Sequence, residues 1–433
     1  MHVVKTRETE RALLVGLERG GHQRWEIKDS LEELNELART AGAEVVDTVI
    51  QRLPQPTPNF FIGKGKAEEI AQVCNKHDVV TVIFDDDLSP AQSRNLERVF
   101  NCKIIDRTEL ILDIFAQRAH TREGKLQIEL AQLQYLLPRL TRLWTHLSRQ
   151  SGGIGTRGPG ETQLEVDRRR VQEKIARLTR EIAEVQKNRR IQRAGRRRHQ
   201  WPIAAIIGYT NAGKSTLLNS LTGSSVLAED KLFATLDPTT RRFTLPNNQD
   251  ILLTDTVGFL RKLPHHLIDS FKATLEEVVE ADLLIHVVDM SHPKVNDQIA
   301  AVEQVLHELH AWGKPTVTAL NKVDRLTEPN GIIARFQAQI PNSTPISART
   351  KFGFESLLLE IQTALANRRR YAKLTIPQQN YNLVAEVFRL GQIISQKFNN
   401  GNVQVEARIP PALREQLRPF LMVEDERDAA VSH

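Results

Sequence analysis

The chain has 433 residues, 40% apolar and 26% charged, a balance that suits a soluble protein of two to four domains and excludes a disordered tail protein. No apolar run approaches the roughly 20 residues of a membrane span, and Cys74 and Cys102 alone can build neither a disulfide framework nor a zinc site. The net charge of +6 points to a polyanionic partner. The first twenty residues carry no long apolar stretch, so no signal peptide is expected, and a reducing cytosol is the simplest compartment.

Residues 1–106 alternate short apolar strands with helical stretches. Strands are expected at 12–16, 44–50, 79–84 and 102–105. A capping box at Ser30–Glu33 should open a helix running toward Gly42, with further helices from about Lys66 and from Pro90 to Phe100. This order predicts a small parallel α/β domain. The Gly63–Lys66 segment lacks full phosphate-loop spacing and reads as a helix entry.

Residues 107–200 are predominantly helical. Leu126, Leu130, Leu133, Leu137, Leu140, Trp144 and Leu147 follow a heptad seam, with a kink expected at Pro138. A second seam runs through Leu164, Val171, Ile175, Leu178, Ile182 and Val185, and Thr162 with Glu165 caps its helix. One glycine-rich loop at 151–160 joins them, so an antiparallel helical hairpin is predicted. Its tip, with Arg157, reads either as a linker or as a probe that enters a narrow polyanionic site. From Arg168 to Gln200 stand eleven Arg and two Lys against three Glu, a local charge of +10 that leaves the rest of the chain at about −4. Arg189, Arg190, Arg193, Arg196, Arg197 and Arg198 are denser than a solvated face requires and are candidates, with Arg157, for phosphate-backbone contact. A solvated helix face and linker is the plainer alternative.

The chemistry lies in residues 201–370. An apolar strand at 202–207 ends in Gly208-Tyr209-Thr210-Asn211-Ala212-Gly213-Lys214-Ser215, and a helix follows. Glycines free the backbone N–H groups to cradle phosphates at that helix N-terminus, Lys214 reaches the β- and γ-phosphates, and the Ser215 hydroxyl suits Mg²⁺. Strand 251–255 delivers Asp255-Thr256-Val257-Gly258. Its carboxylate can hold a metal-bound water, and the Gly258 N–H can sense a γ-phosphate. Between these, Thr235, Thr239 and Thr240 compete to supply a metal-binding hydroxyl. Strand 317–320 ends in Asn321-Lys322-Val323-Asp324, where a carboxylate can accept from guanine N1–H and the 2-amino group, donors that adenine lacks. The Lys322 stem can lie along the base, and Ser347-Ala348-Arg349 can offer backbone N–H to guanine O6. Four motifs in this order predict GTP and GDP binding.

The motif order resembles that of translation-factor-type GTPases. Together with the upstream α/β domain and the Gly152–Gln163 loop sequence, it is similar to the HflX family over most of the chain, about residues 10–430. The resemblance implies a P-loop GTPase domain with a doubly wound, mostly parallel sheet, preceded by the small α/β domain and the long hairpin. It implies a cytoplasmic, GTP-hydrolysing, Mg²⁺-dependent protein that binds the large ribosomal subunit and its rRNA, with roles in rescuing stalled ribosomes or in assembly. Thr235 becomes the switch threonine on Mg²⁺, beside Ser215 and, through water, Asp255. Lys214, Thr235 and Gly258 become the catalytic set. The nucleotide-contacting set takes in the loop through Thr216, then Phe233, Ala234, Thr235, Leu236 and Asp237, and the three later motifs.

One departure stands out. Ras-like GTPases place a water-orienting glutamine after the glycine of the second motif. Here Phe259 occupies that position, so slow intrinsic hydrolysis is expected, with Arg241 and Arg242 as candidate arginine fingers. Asn211 sits where some related GTPases coordinate K⁺, or is a simple turn residue. Residues 371–433 read as a small α+β domain with a hairpin turn at Asn400-Gly401. The expected protein is a monomer without a transmembrane segment, with peripheral membrane association left open. Rival readings are an RNA-remodelling NTPase that also uses ATP and a non-ribosomal coiled-coil regulator.

Overall fold

The apolar runs of the N-terminal third form four strands: β1 (Glu10–Glu18), β2 (Ala43–Arg52), β3 (Thr81–Phe84) and β4 (Lys103–Asp106). They pair in the order β2-β1-β3-β4, all parallel. Helices α1 (Arg24–Ala41), α2 (Lys64–Lys76) and α3 (Pro90–Phe100) make the crossovers. The computed structural model describes residues 10–20, 24–140, 163–197, 201–223, 232–233, 236–262, 275–327, 329–366, 370–399, 401–409 and 411–424.

Local signals set most of these boundaries. Ser89 and Gln92 exchange the two hydrogen bonds of a capping box, and Pro90 occupies the first turn of α3. The expected box at Ser30 does not start a helix. The helix α1 begins at Arg24, and the Ser30 hydroxyl instead donates to Asp85 Oδ2 at 2.6 Å. Asp85 follows β3 and also accepts from Arg107 Nη1 at 2.8 Å and Lys262 Nζ at 2.6 Å. Burial pushes its carboxyl pKa up, and Lys262 pulls it back. A buried carboxylate needs these donors, and that requirement overrides the local capping signal.

Asp106 ends β4 and caps α4 (Arg107–Arg118) by accepting from Glu109 N. This helix packs against α1 as well as α5 (Arg122–Leu140), so it joins the N-terminal layer to the helical segment. Leu126, Leu130 and Leu133 of α5 meet Ile175, Leu178 and Ile182 of α6 (Gln163–Arg197). The two predicted seams therefore do face each other. The α5 helix continues through Pro138. Trp144, Leu147, Arg157 and the glycine tip lie outside the described residues, as does Arg198.

The chain divides into two compact units. The first holds residues 1–188 together with 229–237 and 262–274; the second holds 189–228, 238–261 and 275–433. The second contains a six-stranded sheet from β5 (Ile203–Gly208), β6 (Thr239–Thr244), β7 (Asp250–Asp255), β8 (Leu283–Asp289), β9 (Thr316–Asn321) and β10 (Ser343–Pro345). Its order is β10-β9-β8-β5-β7-β6, parallel except for edge strand β6. The order reverses beside β5, the place where α/β sheets bind ligands at strand C-termini. Apolar runs such as Ile203–Ile207 suit strands covered on both faces. The helices of this sheet include α7 (Lys214–Thr222), α8 (Val295–Glu308), α9 (Pro329–Gln339) and α10 (Phe354–Ala366). A separate core lies in an antiparallel sheet of β11 (Arg370–Pro377), β12 (Gln392–Asn399), β13 (Asn402–Ile409) and β14 (Leu421–Glu424), with α11 (Tyr381–Leu390) and α12 (Pro411–Leu417). The predicted two-residue turn joins β12 to β13, with Gly401 at φ 76°.

Two segments far along the sequence are built into the first unit. The buried ring of Phe233 packs edge-on against Phe115 with centroids 4.6 Å apart. The Asp237 carboxylate accepts from the backbone N–H groups of His120 and Thr121, both at 2.9 Å, and from the Thr121 hydroxyl. That hydroxyl in turn accepts from Gly124 N at 3.0 Å, so Asp237 braces the residue that caps α5. Replacing Asp237 with Ala should cost about 1 kcal/mol, the usual worth of a helix cap. The measurement is urea unfolding of the full chain with amide exchange at Gly124; unchanged stability and protection would show that the brace carries no weight.

Candidate functional site

The strand β5 is buried between β7 and β8 and delivers the phosphate loop at its C-terminal end. Gly208 has φ 150°, and a Cβ there would stand 2.3 Å from the Val287 carbonyl oxygen. Gly213 has φ 98°, and a Cβ there would stand 2.3 Å from Asn321 Nδ2. Both glycines are thus required by backbone angle and by neighbours. Asn211 adopts φ 59°, a left-handed position that Asn tolerates, which is what the turn reading of this residue asks for.

The second motif is stitched to this loop. Phe259 N donates to Gly208 O at 3.1 Å, and Thr210 N donates to Phe259 O at 2.8 Å, forming a parallel bridge. Thr256 Oγ1 donates to Ile206 O at 2.7 Å. A Cβ on Gly258 would lie 2.8 Å from Thr210 Cα and 2.9 Å from Lys214 Nζ, so glycine alone allows this approach. The Phe259 ring is 2% exposed and belongs to the core. Tyr209 Oη accepts from Arg261 N at 3.0 Å, a tie with no local signature in the sequence.

The side chains expected to meet phosphate and metal are gathered at one point. Lys214 is buried and donates to Tyr209 O at 2.7 Å. Burial lowers its pKa to about 8; Asp255 raises it, and Lys322 lowers it further. Ser215 Oγ donates to Asp255 Oδ2 at 2.6 Å. These two groups offer only oxygen, the donor type that a hard cation such as Mg²⁺ takes. Among the described residues no group of three or more His, Cys, Asp or Glu forms a metal cluster. Beneath the loop, His286 of β8 is buried, and burial with the nearby Lys214 depresses its pKa to about 4. It is neutral at physiological pH.

The third and fourth motifs join the same edge. Asn321 Nδ2 donates to Ala212 O at 2.8 Å, and Asn321 Oδ1 accepts from Ala348 N at 2.9 Å. Ser220 Oγ of α7 donates to Ala348 O at 2.7 Å, and Thr350 N donates to Ser347 Oγ at 3.2 Å. Asp324 sits in a short 3-10 turn, Val323–Arg325, and its side chain is exposed, as is that of Arg349.

Part of the expected set lies outside the described residues, and part has partners within its own unit. Ala234 and Thr235 lie outside the described residues. Phe233, Leu236 and Asp237 belong to the first unit, where Phe233 and Asp237 have the partners given above. Thr239 and Thr240 are spent in β6, and Thr240 Oγ1 shares a hydrogen bond with Thr254 Oγ1. Arg242 is not a free finger. It donates to Asp250 at 2.7 Å, with its guanidinium 4.7 Å from the Trp201 ring centroid. Arg189, Arg190, Arg193, Arg196 and Arg197 fall on the last turns of α6.

A doubly wound sheet with this loop at its switch point, wired to an Asp255–Gly258 turn and an Asn321–Asp324 turn, defines a P-loop GTPase. Family comparisons agree. The family described as 50S ribosome-binding GTPase matches residues 203–322, with GTP-binding GTPase N-terminal at 28–116 and GTP-binding GTPase Middle Region at 118–196. A GTPase HflX from Lacrimispora saccharolytica is 46% identical over 420 residues, 97% of each chain. One from Escherichia coli is 44% identical over 384 residues, 88% of this chain and 90% of the relative. A solved GTP-binding protein from Sulfolobus solfataricus in complex with GDP is 26% identical, with a TM-score of 0.44 over 82% of this chain and 98% of that one. The chain belongs to the HflX GTPase family.

The depressed Lys214 pKa has a consequence for nucleotide binding. A phosphate ligand requires the charged ammonium, so the free protein must take up a proton to bind once pH exceeds about 8. The dissociation constant for GDP should be flat below that pH and rise above it, approaching about tenfold per pH unit. Isothermal titration from pH 6.5 to 9.5 checks this. Lys214→Arg, which stays charged throughout, should lose the rise; a rise that persists would assign it to another group.

Proposed function

We propose that this GTPase binds Mg²⁺·GTP through the four motifs, discriminates guanine through Asp324, and uses nucleotide state to control docking on the large ribosomal subunit. The observation that carries the nucleotide half is the Asn321 side chain, which joins the phosphate loop to the turn at Ala348. Lys214 takes the β- and γ-phosphates in place of the Tyr209 carbonyl. Ser215, Thr235 and, through water, Asp255 are the residues that would hold Mg²⁺, which would supply neutralisation of the charge that develops on the phosphates. The Gly258 N–H faces the γ-phosphate. Nearly all of the catalysis is then electrostatic positioning by the loop amides and Lys214. Potassium at Asn211 is a further expectation, read by comparing hydrolysis in Na⁺ and K⁺.

The ribosomal half rests on charge and on family. The window 168–200 carries +10, and α6 places much of it on one continuous helix of 35 residues. A rod of that charge suits an RNA backbone. The match to the family described as 50S ribosome-binding GTPase supports the large subunit as that partner. Rescue of stalled ribosomes, assembly and a cytoplasmic location follow as expectations. No helix among the described residues is long and apolar enough to cross a membrane.

Two outcomes test these halves separately. Asp324→Asn should invert the preference from guanine toward xanthine nucleotides, because the amide donates where the carboxylate accepted. Competition of XTP against labelled GTP measures it, and an unchanged preference removes Asp324 from the base site.

Single-turnover hydrolysis should be slow in the isolated protein and faster with purified large subunits, because Phe259 leaves the attacking water without a side-chain partner at that position. Equal rates with and without subunits would defeat the coupling. High salt, or charge reversal of Arg196, Arg197 and Arg198 together, should weaken the stimulation. Stimulation that ignores both would make that cluster a linker.

A further inference from the structure

The base-recognition motif has an acidic neighbour that none of the four motifs contains. Asp289 is the last residue of β8 and pairs in register with Asn321 of β9. Its Oδ2 lies 2.7 Å from Lys322 Nζ, and the two side chains are 12% and 14% exposed. Its Oδ1 accepts from Ser291 N at 3.0 Å and from Ser291 Oγ at 2.6 Å. Both carboxylate oxygens are therefore engaged, and the carboxylate cannot rotate without losing partners. Met290 N donates to Asn321 O at 2.9 Å, which fixes the two strand ends to each other. Lys322 itself holds φ 63°, a left-handed angle that a long side chain adopts only under constraint.

We propose that Asp289 is a positioning residue for guanine recognition: it pins the Lys322 ammonium so that the aliphatic stem forms one wall of the base slot before nucleotide arrives. The inference rests on the reading of Asn321–Asp324 as the base-reading turn and extends it. A free lysine stem has four rotatable bonds, and ordering it on binding would weaken nucleotide affinity. Asp289 moves that ordering into the folding of the protein. The contact lies at the base and away from the γ-phosphate, so it should serve GTP and GDP alike.

The test is a double-mutant cycle on the full chain with Asp289→Asn, Lys322→Met and the pair, reading dissociation constants for GTP and GDP. Asn keeps the shape and the Ser291 contacts but loses the charge; Met keeps the stem but loses the ammonium. Each single change should weaken both nucleotides by a similar factor of about ten, and the pair should be little worse than either alone. The loss for Asp289→Asn should fall on KM rather than kcat, and its unfolding midpoint serves as the control for a merely structural role. Additive losses, or no loss from Asp289→Asn in a protein that prefers guanine, overturn the inference alone. A parent protein without guanine preference overturns the base-site reading and the inference with it.

Discussion

The second unit depends on one primary amide. Asn321 spans three chain segments at once, donating to Ala212 in the phosphate loop and accepting from Ala348 after β10, while its own backbone closes β9. Gly213 is forced by the same side chain, since a Cβ there would meet Asn321 Nδ2 at 2.3 Å. Removing the amide would strand two buried backbone groups, each costing on the order of 1–3 kcal/mol. The phosphate and base ends of the site are therefore not independent; they are set by the same hydrogen bonds.

Around that amide the site satisfies itself internally. Lys214 is held by Tyr209 O, Ser215 by Asp255, and Lys322 by Asp289. These three donors, all expected to face nucleotide, already have an oxygen partner in the protein. Binding then exchanges one set of hydrogen bonds for another and leaves the loop backbone in place, which keeps the ordering cost low. Asp324 is the exception. Its carboxylate is solvent-facing, which keeps the charge out of the core.

Legibility followed sequence distance. The loop Gly208–Ser215, the turn Asp255–Gly258 and the turn Asn321–Asp324 are local runs, because phosphate cradling and base reading need consecutive backbone groups. Both leucine seams were readable for the same reason, since heptad spacing is local even though the contact of Leu130 with Leu178 is not. What stayed hidden was every role assigned by a distant partner. Ser30 looks like a cap and serves Asp85, 55 positions away. Asp237, expected as a nucleotide contact, braces Thr121, 116 positions back. Asp289 is a single carboxylate at a strand end, with no signature until Lys322 is placed beside it. Tertiary demand for buried-charge partners decided each of these, and no local pattern carries it. The consequence for residues 229–237 is energetic. Any rearrangement that takes Asp237 away from α5 gives up its hydrogen bonds there, and withdrawing Phe233 gives up its contact with Phe115, so that segment moves only against a definite cost.

Phe259 shows how a fold can commit a catalytic position to structure. Its N–H and C=O weld the second motif to the phosphate loop, and its ring is among the most buried in the protein. A glutamine at this position would have to bury an amide where the ring now is. Unsatisfied burial of such a group costs more than a surface residue could recover. A buried ring and a water-orienting side chain therefore compete for this position, and the chain has the ring there. Ordering of the attacking water must then come from groups at other positions. Arg242 does not supply it from β6, where Asp250 and Trp201 already hold its guanidinium.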